Sequence, residues 1–237
     1  MAKTSRKQQY LAGMRSGIPV ILGFIPVGIA YAIMAQQAGF TVAETVFMSV
    51  AVFAGASQMM AVGMYAQGAG LIAMILATFI LNLRHLIMST CVVNRMRGDK
   101  LGLKLLAAFG VTDESFAIFT TEDEARCSVF YFLGLITVTY TSWVAGSAIG
   151  AVASGFLPEI VSASLGIALY AMFLGLLMPN VRQSFRLGVL VIITAVANTG
   201  LSQLIDSSWA LIVSTLACAA LGVCFVNDGV KEKTSNG

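Results

Sequence analysis

Asn82-Leu83-Arg84-His85 stands near the middle of an otherwise apolar stretch, Gly70 to Val93. It is the part of the chain whose residue types are best suited to chemistry. A helix needs roughly 20 apolar residues to cross a bilayer. An ionisable side chain at the centre of such a crossing costs at least ~2.5–3.5 kcal/mol. Nothing else in the stretch is charged, so the guanidinium is a local exception that faces a partner, a cavity or a substrate path. Thr78, Asn82, His85 and Ser89 follow one another at i, i+4, i+7 and i+11, one face of a helix. Arg84 projects about 100° round from His85. The bland alternative is a snorkelling or structurally paired arginine beside a packing histidine.

Three other groups of residues bear on this stretch. Ala54-Gly55-Ala56-Ser57-Gln58 lies near the centre of the segment Val42 to Tyr65. Its small residues admit close backbone approach, and Ser57 and Gln58 bring hydrogen-bonding groups to membrane depth; plain helix packing accounts for them equally well. Thr112-Asp113-Glu114-Ser115 sets two adjacent carboxylates inside another apolar segment, which is costly unless they are neutralised or reach water. Ser202 and Gln203 close a late segment after Asn198-Thr199-Gly200-Leu201. Arg84 and the Asp113-Glu114 pair are the charges set deep in hydrophobic segments. Pairing offsets part of their desolvation, so Arg84 is expected within reach of Asp113 or Glu114, directly or through a substrate.

These groups need helices to position them. With 58% hydrophobic and 11% charged residues, the chain lacks the polar surface of a soluble domain. Its apolar runs are long and continuous, which predicts an all-α, polytopic helical membrane protein and a single integral membrane domain over residues 1–237. Residues 1–16 read as a basic cytoplasmic N-terminus and 227–237 as a polar cytoplasmic tail. The net charge of +3 gathers at segment ends and indicates orientation, not nucleic-acid binding. Cys91, Cys127, Cys218 and Cys224 have no metal-site spacing, and a single histidine excludes a multi-histidine centre. No cofactor is expected.

Eight segments follow in order. Gly17 to Ala35 carries Pro19 and Pro26, which favour a kink or a break; the basic stretch before it reads as leading into a retained span, not a cleaved leader. Val42 to Tyr65, Gly70 to Val93, Leu101 to Thr120, Ser128 to Ala153, Ile160 to Met178, Leu187 to Leu204 and Trp209 to Val226 complete the set. Glu122 to Arg126 reads as a solvated loop. Arg182, Arg186, Lys231 and Lys233, with Asp206 opposite, place the C-terminus in the cytoplasm. Eight full crossings would then leave Arg95, Arg97, Lys100 and Lys104 outside. Either that loop is an exception, or two of the first four segments re-enter, the carboxylate-bearing fourth being one candidate; the expectation is 7–8 transmembrane or re-entrant helices. A short echo (Pro19…Gly28-Ile29-Ala30-Tyr31 with Pro158…Gly166-Ile167-Ala168…Tyr170, and Gly55…Gln58 with Gly200…Gln203) suggests an inverted repeat, an architecture of transporters.

The motifs together resemble the AzlC family of branched-chain amino-acid exporters. The resemblance rests on Gly17-Ile18-Pro19 with Ile25-Pro26-Val27-Gly28, on Phe53-Ala54-Gly55-Ala56-Ser57-Gln58, on Asn82-Leu83-Arg84-His85 and on Thr112-Asp113-Glu114. It implies a large exporter subunit in a bacterial cytoplasmic membrane, working with a small hydrophobic AzlD-like membrane subunit. The substrates it implies are leucine, isoleucine, valine and methionine. A zwitterionic apolar substrate needs an anion partner, a cation partner and an apolar pocket. Arg84, or amides around Gly55 with Ser57, Gln58, Asn82, Ser202 and Gln203 as further polar contacts, would hold substrate. Asp113 or Glu114 would take the ammonium, and His85 or a carboxylate would carry a proton. The sequence contains no Gly-x-x-x-x-Gly-Lys-Ser/Thr motif, so coupling to an ion gradient is simpler than ATP hydrolysis. An intramembrane serine hydrolase using Ser57 and His85, and a passive channel, are the rival readings.

Overall fold

The computed structural model describes residues 5–96, 101–123, 126–156, 184–205 and 207–226, with 174, 178, 181 and 182. Among the described residues the regular elements are helical, with no strand. In chain order they are α1 (Arg6–Gln37), α2 (Val42–Val52), α3 (Gly55–Ala66), α4 (Leu71–Arg95), α5 (Leu101–Phe109), α6 (Asp113–Thr121), α7 (Val129–Ala153), α8 (Phe185–Leu201) and α9 (Ser207–Val226). Three of them, α1, α4 and α7 with its continuation to Phe156, are long and apolar enough to cross a membrane. The sixth predicted segment, the Pro158-to-Tyr170 half of the echo, Asp206 and the C-terminal lysines lie almost wholly outside the described residues.

The chain forms two compact units. Met1–Gly63 with Leu81–Leu169 make one, and Met64–Ile80 with Tyr170–Gly237 the other. In the second unit α8 packs on α9, where Gly222 sits against Leu190 and Ser214 Oγ donates to Asn198 Oδ1 at 3.2 Å.

The first unit is built on α1 and α7. A methyl group on Gly13 would run into the Tyr131 carbonyl, and one on Gly134 into the Tyr10 carbonyl; at Gly146 it would lie 2.7 Å from the Ile25 carbonyl oxygen. These glycines let the two backbones touch, the packing that small residues permit within a membrane. Ser5 caps α1 in a reciprocal box with Gln8, and Gly39 (φ 94°) ends it with Phe40 N–H on the Ala35 carbonyl.

The breaks fall elsewhere than at the prolines. The prolines do not interrupt the first segment: α1 runs through Pro19 and Pro26 without ending. Both rings lie on its exposed side, while Gly13, Gly17, Phe24 and Gly28 on the other side are buried. Packing along α7 overrides the local breaker. Conversely, the second and fourth segments, which hold no proline, are each divided: α2 and α3 part at Phe53-Ala54, and α5 and α6 at Gly110 to Thr112. Met88 and Val92 of α4, Met96 just after it, Ala107 of α5, Phe119 of α6 and Phe132, Leu135 and Ile136 of α7 form the core beside the second break.

The predicted solvated loop after α6 is also more tied down than expected. Arg95 donates to the Thr120 carbonyl (2.7 Å) and the Glu122 carbonyl (2.9 Å), and Tyr131 donates its hydroxyl to the Glu122 carboxylate at 2.8 Å. The carbonyls at a helix C-terminus lack intrahelical donors, and a cation there also suits the helix dipole.

Candidate functional site

The deep charges meet at the second break. Arg84 Nη1 lies 2.8 Å from Asp113 Oδ2, with about a third of each side chain accessible (35% and 33%). Asp113 and Glu114 open the first turn of α6, which Thr112 caps in a reciprocal bond with Ser115: Thr112 N–H donates to Ser115 Oγ (2.8 Å) and Ser115 N–H to Thr112 Oγ1 (3.3 Å). A helix N-terminus favours negative charge. The two adjacent carboxylates are thus tolerated at this depth by an arginine and a helix end together.

His85 reaches the same break two residues earlier, at Val111. Its Nδ1 lies 3.0 Å from the Val111 carbonyl oxygen. A carbonyl can only accept, so Nδ1 carries the proton and Nε2 is the nitrogen that can take up another. Arg95 binds the far end of α6, so α4 holds this half-helix at both ends. Asn82 Oδ1 and Arg84 Nε are buried without a hydrogen-bond partner. Thr78, from the same predicted face, returns its hydroxyl to the Met74 and Ile75 carbonyls.

Gly55, Ser57 and Gln58 gather at the first break instead. Phe53 there adopts left-handed backbone (φ 44°, ψ 46°), which a bulky side chain seldom does. Trp143 of α7 fills the space beside Gly55: a methyl group on that glycine would lie 2.7 Å from the indole ring. Gln58 is fully buried. Its Oε1 accepts from Trp143 Nε1 (3.2 Å) and Ala54 N–H (3.3 Å), and its Nε2 donates to Ser49 Oγ (3.2 Å), which donates on to Ser147 Oγ (2.7 Å). Ser57 Oγ donates to the Ala54 carbonyl at 2.9 Å. Ser57 and His85, the pair a hydrolytic reading requires, engage different partners. Ser202 and Gln203 belong to the second unit and lie in an exposed turn at the end of α8, where Ser202 Oγ donates to the Thr199 carbonyl at 2.9 Å. The two halves of the echo therefore differ in setting, since Gly55 begins a helix and Gly200-Leu201 end one.

Gln58 carries a prediction of its own. Gln58→Leu keeps the bulk but removes the acceptor of Trp143 Nε1–H and Ala54 N–H together, and each unsatisfied buried group costs ~1–3 kcal/mol. A fall of several degrees in the unfolding midpoint of the detergent-solubilised protein is expected; an unchanged midpoint would mean that these groups find other partners.

The α7 stripe Ile136, Tyr140 and Trp143 is what sequence reading left out. Ile136 packs under Gly110 at the second break and Trp143 under Gly55 at the first. Tyr140 touches both, its ring centroid 5.0 Å from Phe53 and 6.3 Å from Phe109, while its hydroxyl donates to the Val50 carbonyl at 2.8 Å. The spacing i, i+4, i+7 was readable as one helical face, though nothing marked which helix ends it would meet.

The profile of the family described as AzlC protein matches residues 19–157, a span that contains both breaks, Arg84, His85 and the carboxylates. The chain belongs to the AzlC family. Among relatives of this AzlC-family chain, an uncharacterized membrane protein of Archaeoglobus fulgidus is 33% identical over 184 residues, 77% of this chain and 80% of its own length. The inner membrane protein YgaZ of Escherichia coli is 32% identical over 76% of each chain. The branched-chain amino acid transport protein AzlC of Bacillus subtilis is 31% identical over 62% of this chain and 60% of its own. No solved structure matches. The AzlC-family chain is a polytopic membrane protein, as its long apolar helices and these relatives agree.

Proposed function

We propose that this chain is the large subunit of a secondary transporter that exports branched-chain amino acids, and methionine with them, across a bacterial cytoplasmic membrane, driven by the proton gradient. The observation that carries the reading is the Arg84–Asp113 ion pair, set where the α5–α6 break meets the middle of α4. Irregular backbone at membrane depth is tolerated where it is buried in protein or lines a cavity, and broken helices hold substrate in many transporters. The name of the Bacillus subtilis relative supports the substrate class.

Each part of a zwitterionic apolar substrate has a counterpart in this unit. Its carboxylate competes with Asp113 for Arg84, whose planar fork suits two oxygens at once. Its ammonium takes Asp113 or Glu114 in exchange, with the buried Asn82 Oδ1 as a further acceptor. The amides that open α3 at Gly55, beside Ser57 and Gln58, are the alternative seat for the carboxylate. His85 Nε2 carries the exchanged proton. An apolar cavity of about 260 Å³ between α5 and α7, lined by Leu106, Phe109, Leu133, Ile136 and Tyr140, is open to a branched side chain. Ser202 and Gln203 enter this reading only through the sequence echo. The C-terminus is cytoplasmic, and a small hydrophobic AzlD-like subunit packs against the second half and completes the transport core.

Cells fed a leucine-containing dipeptide should accumulate less free leucine when the protein and its small partner are expressed. Equal accumulation with and without them, at confirmed expression, sinks the export reading. Insensitivity to an uncoupler removes only the proton coupling. Full transport by the purified chain reconstituted alone removes the obligate partner.

A further inference from the structure

The break between α2 and α3 is held open by side chains, not encoded by the residues at the break. Phe53-Ala54 contains neither proline nor glycine at the left-handed position, and a bulky residue there costs energy that local sequence does not offset. In an unbroken helix Ala54 N–H would bond the Val50 carbonyl, four residues back. Here each member of that pair is taken by a different side chain: Tyr140 donates its hydroxyl to the Val50 carbonyl at 2.8 Å, and Gln58 Oε1 accepts from Ala54 N–H at 3.3 Å. Those two side chains stand in for one backbone bond. Removing them lets the backbone groups satisfy one another and relieves Phe53.

We propose that Phe53-Ala54 is a two-state joint, with Tyr140 and Gln58 holding the broken state and a continuous helix from Val42 to Ala66 as the other. The continuous form would be ~37 Å long at ~1.5 Å per residue, enough to cross the ~30 Å hydrocarbon layer. Either half alone falls short of it. The Tyr140 ring also touches Phe109 at the end of α5, so movement at the first break is felt at the second, where Arg84 and Asp113 meet. Tyr140 acts here as a positioning residue.

The joint is tested by the distance between spin labels at Phe47→Cys, on an exposed position of α2, and Gly63→Cys, where an added side chain meets nothing within 4 Å. Cys91, Cys127, Cys218 and Cys224 are first replaced by alanine. A continuous helix separates the two Cα atoms by ~24 Å. Tyr140→Phe keeps the ring contacts and removes the hydroxyl, so the ~24 Å population should rise roughly three- to ten-fold relative to the broken one, as expected for one lost hydrogen bond. Phe53→Gly removes the left-handed penalty and should lower that population. Superimposable distance distributions in the parent and both variants overturn the joint, as does a Tyr140→Phe change of opposite sign. The measurement uses purified protein without substrate, so its outcome is independent of whether the chain exports amino acids.

Discussion

Replacing Arg84 with lysine should abolish most amino-acid efflux while leaving the protein in the membrane at near-parental abundance. Lysine keeps the positive charge that Asp113 needs, and its ammonium can still approach a carboxylate. It loses the planar fork that can hold Asp113 and a substrate carboxylate side by side. It also loses the Nε that is buried without a partner next to the pair. The fall in efflux should be on the order of ten-fold or more, the equivalent of ~1.4 kcal/mol in substrate binding. The assay is leucine retention after dipeptide feeding, normalised to membrane-inserted protein.

Alanine at the same position should damage folding as well, because Asp113 is left without its cation. The cost stays below the ~3–5 kcal/mol typical of breaking a fully buried pair, since about a third of each side chain is accessible. Combining Arg84→Ala with Asp113→Asn removes both charges and should restore abundance without restoring efflux. Parental abundance and efflux in Arg84→Lys, Arg84→Ala and the double variant alike would show that these charges face water, and the site would be wrong.

That pairing was legible in the sequence because charge at membrane depth is scarce enough for partners to be matched by elimination. Arg84 had two candidates, Asp113 and Glu114, both in the first turn of α6, and it pairs with Asp113. The spans of α4, α7 and α9 were likewise readable, since long apolar runs bounded by polar residues leave little choice. The carboxylates of the fourth segment had marked it as a candidate for an irregular element, but the break in the second segment was not foreseen. Helix-breaking residues mark where a helix is weak, yet α1 keeps two prolines on an exposed side and is supported along its other side by α7. Phe53-Ala54 carries no such mark, and its break depends on Tyr140, Gln58 and Trp143, whose meeting is a property of the tertiary structure. The Ser202-Gln203 pair shows the converse: a matching tetrapeptide says nothing of whether it begins or ends a helix.

The support that α7 gives α1 should itself be the most fragile feature of the first unit. A methyl group added at Gly134 would collide with the carbonyl of Tyr10, and one at Gly13 with that of Tyr131. Overfilling a core usually costs ~1–3 kcal/mol because side chains can rotate away; backbone carbonyls cannot, so Gly134→Val should force the helices apart and leave no monodisperse protein on size-exclusion chromatography. Gly23→Ala, in the same helix pair but with nothing within 4 Å of the new carbon, should elute like the parent. Gly17→Ala lies between them, its added carbon 3.2 Å from the Leu135 carbonyl oxygen and from Val138 Cβ. It should fold with a lowered unfolding midpoint and still lose efflux, because a shift of α7 by a few tenths of an ångström displaces Ile136, Tyr140 and Trp143, on which both helix breaks rest. Parental elution of Gly134→Val would mean that α1 and α7 are not in backbone contact.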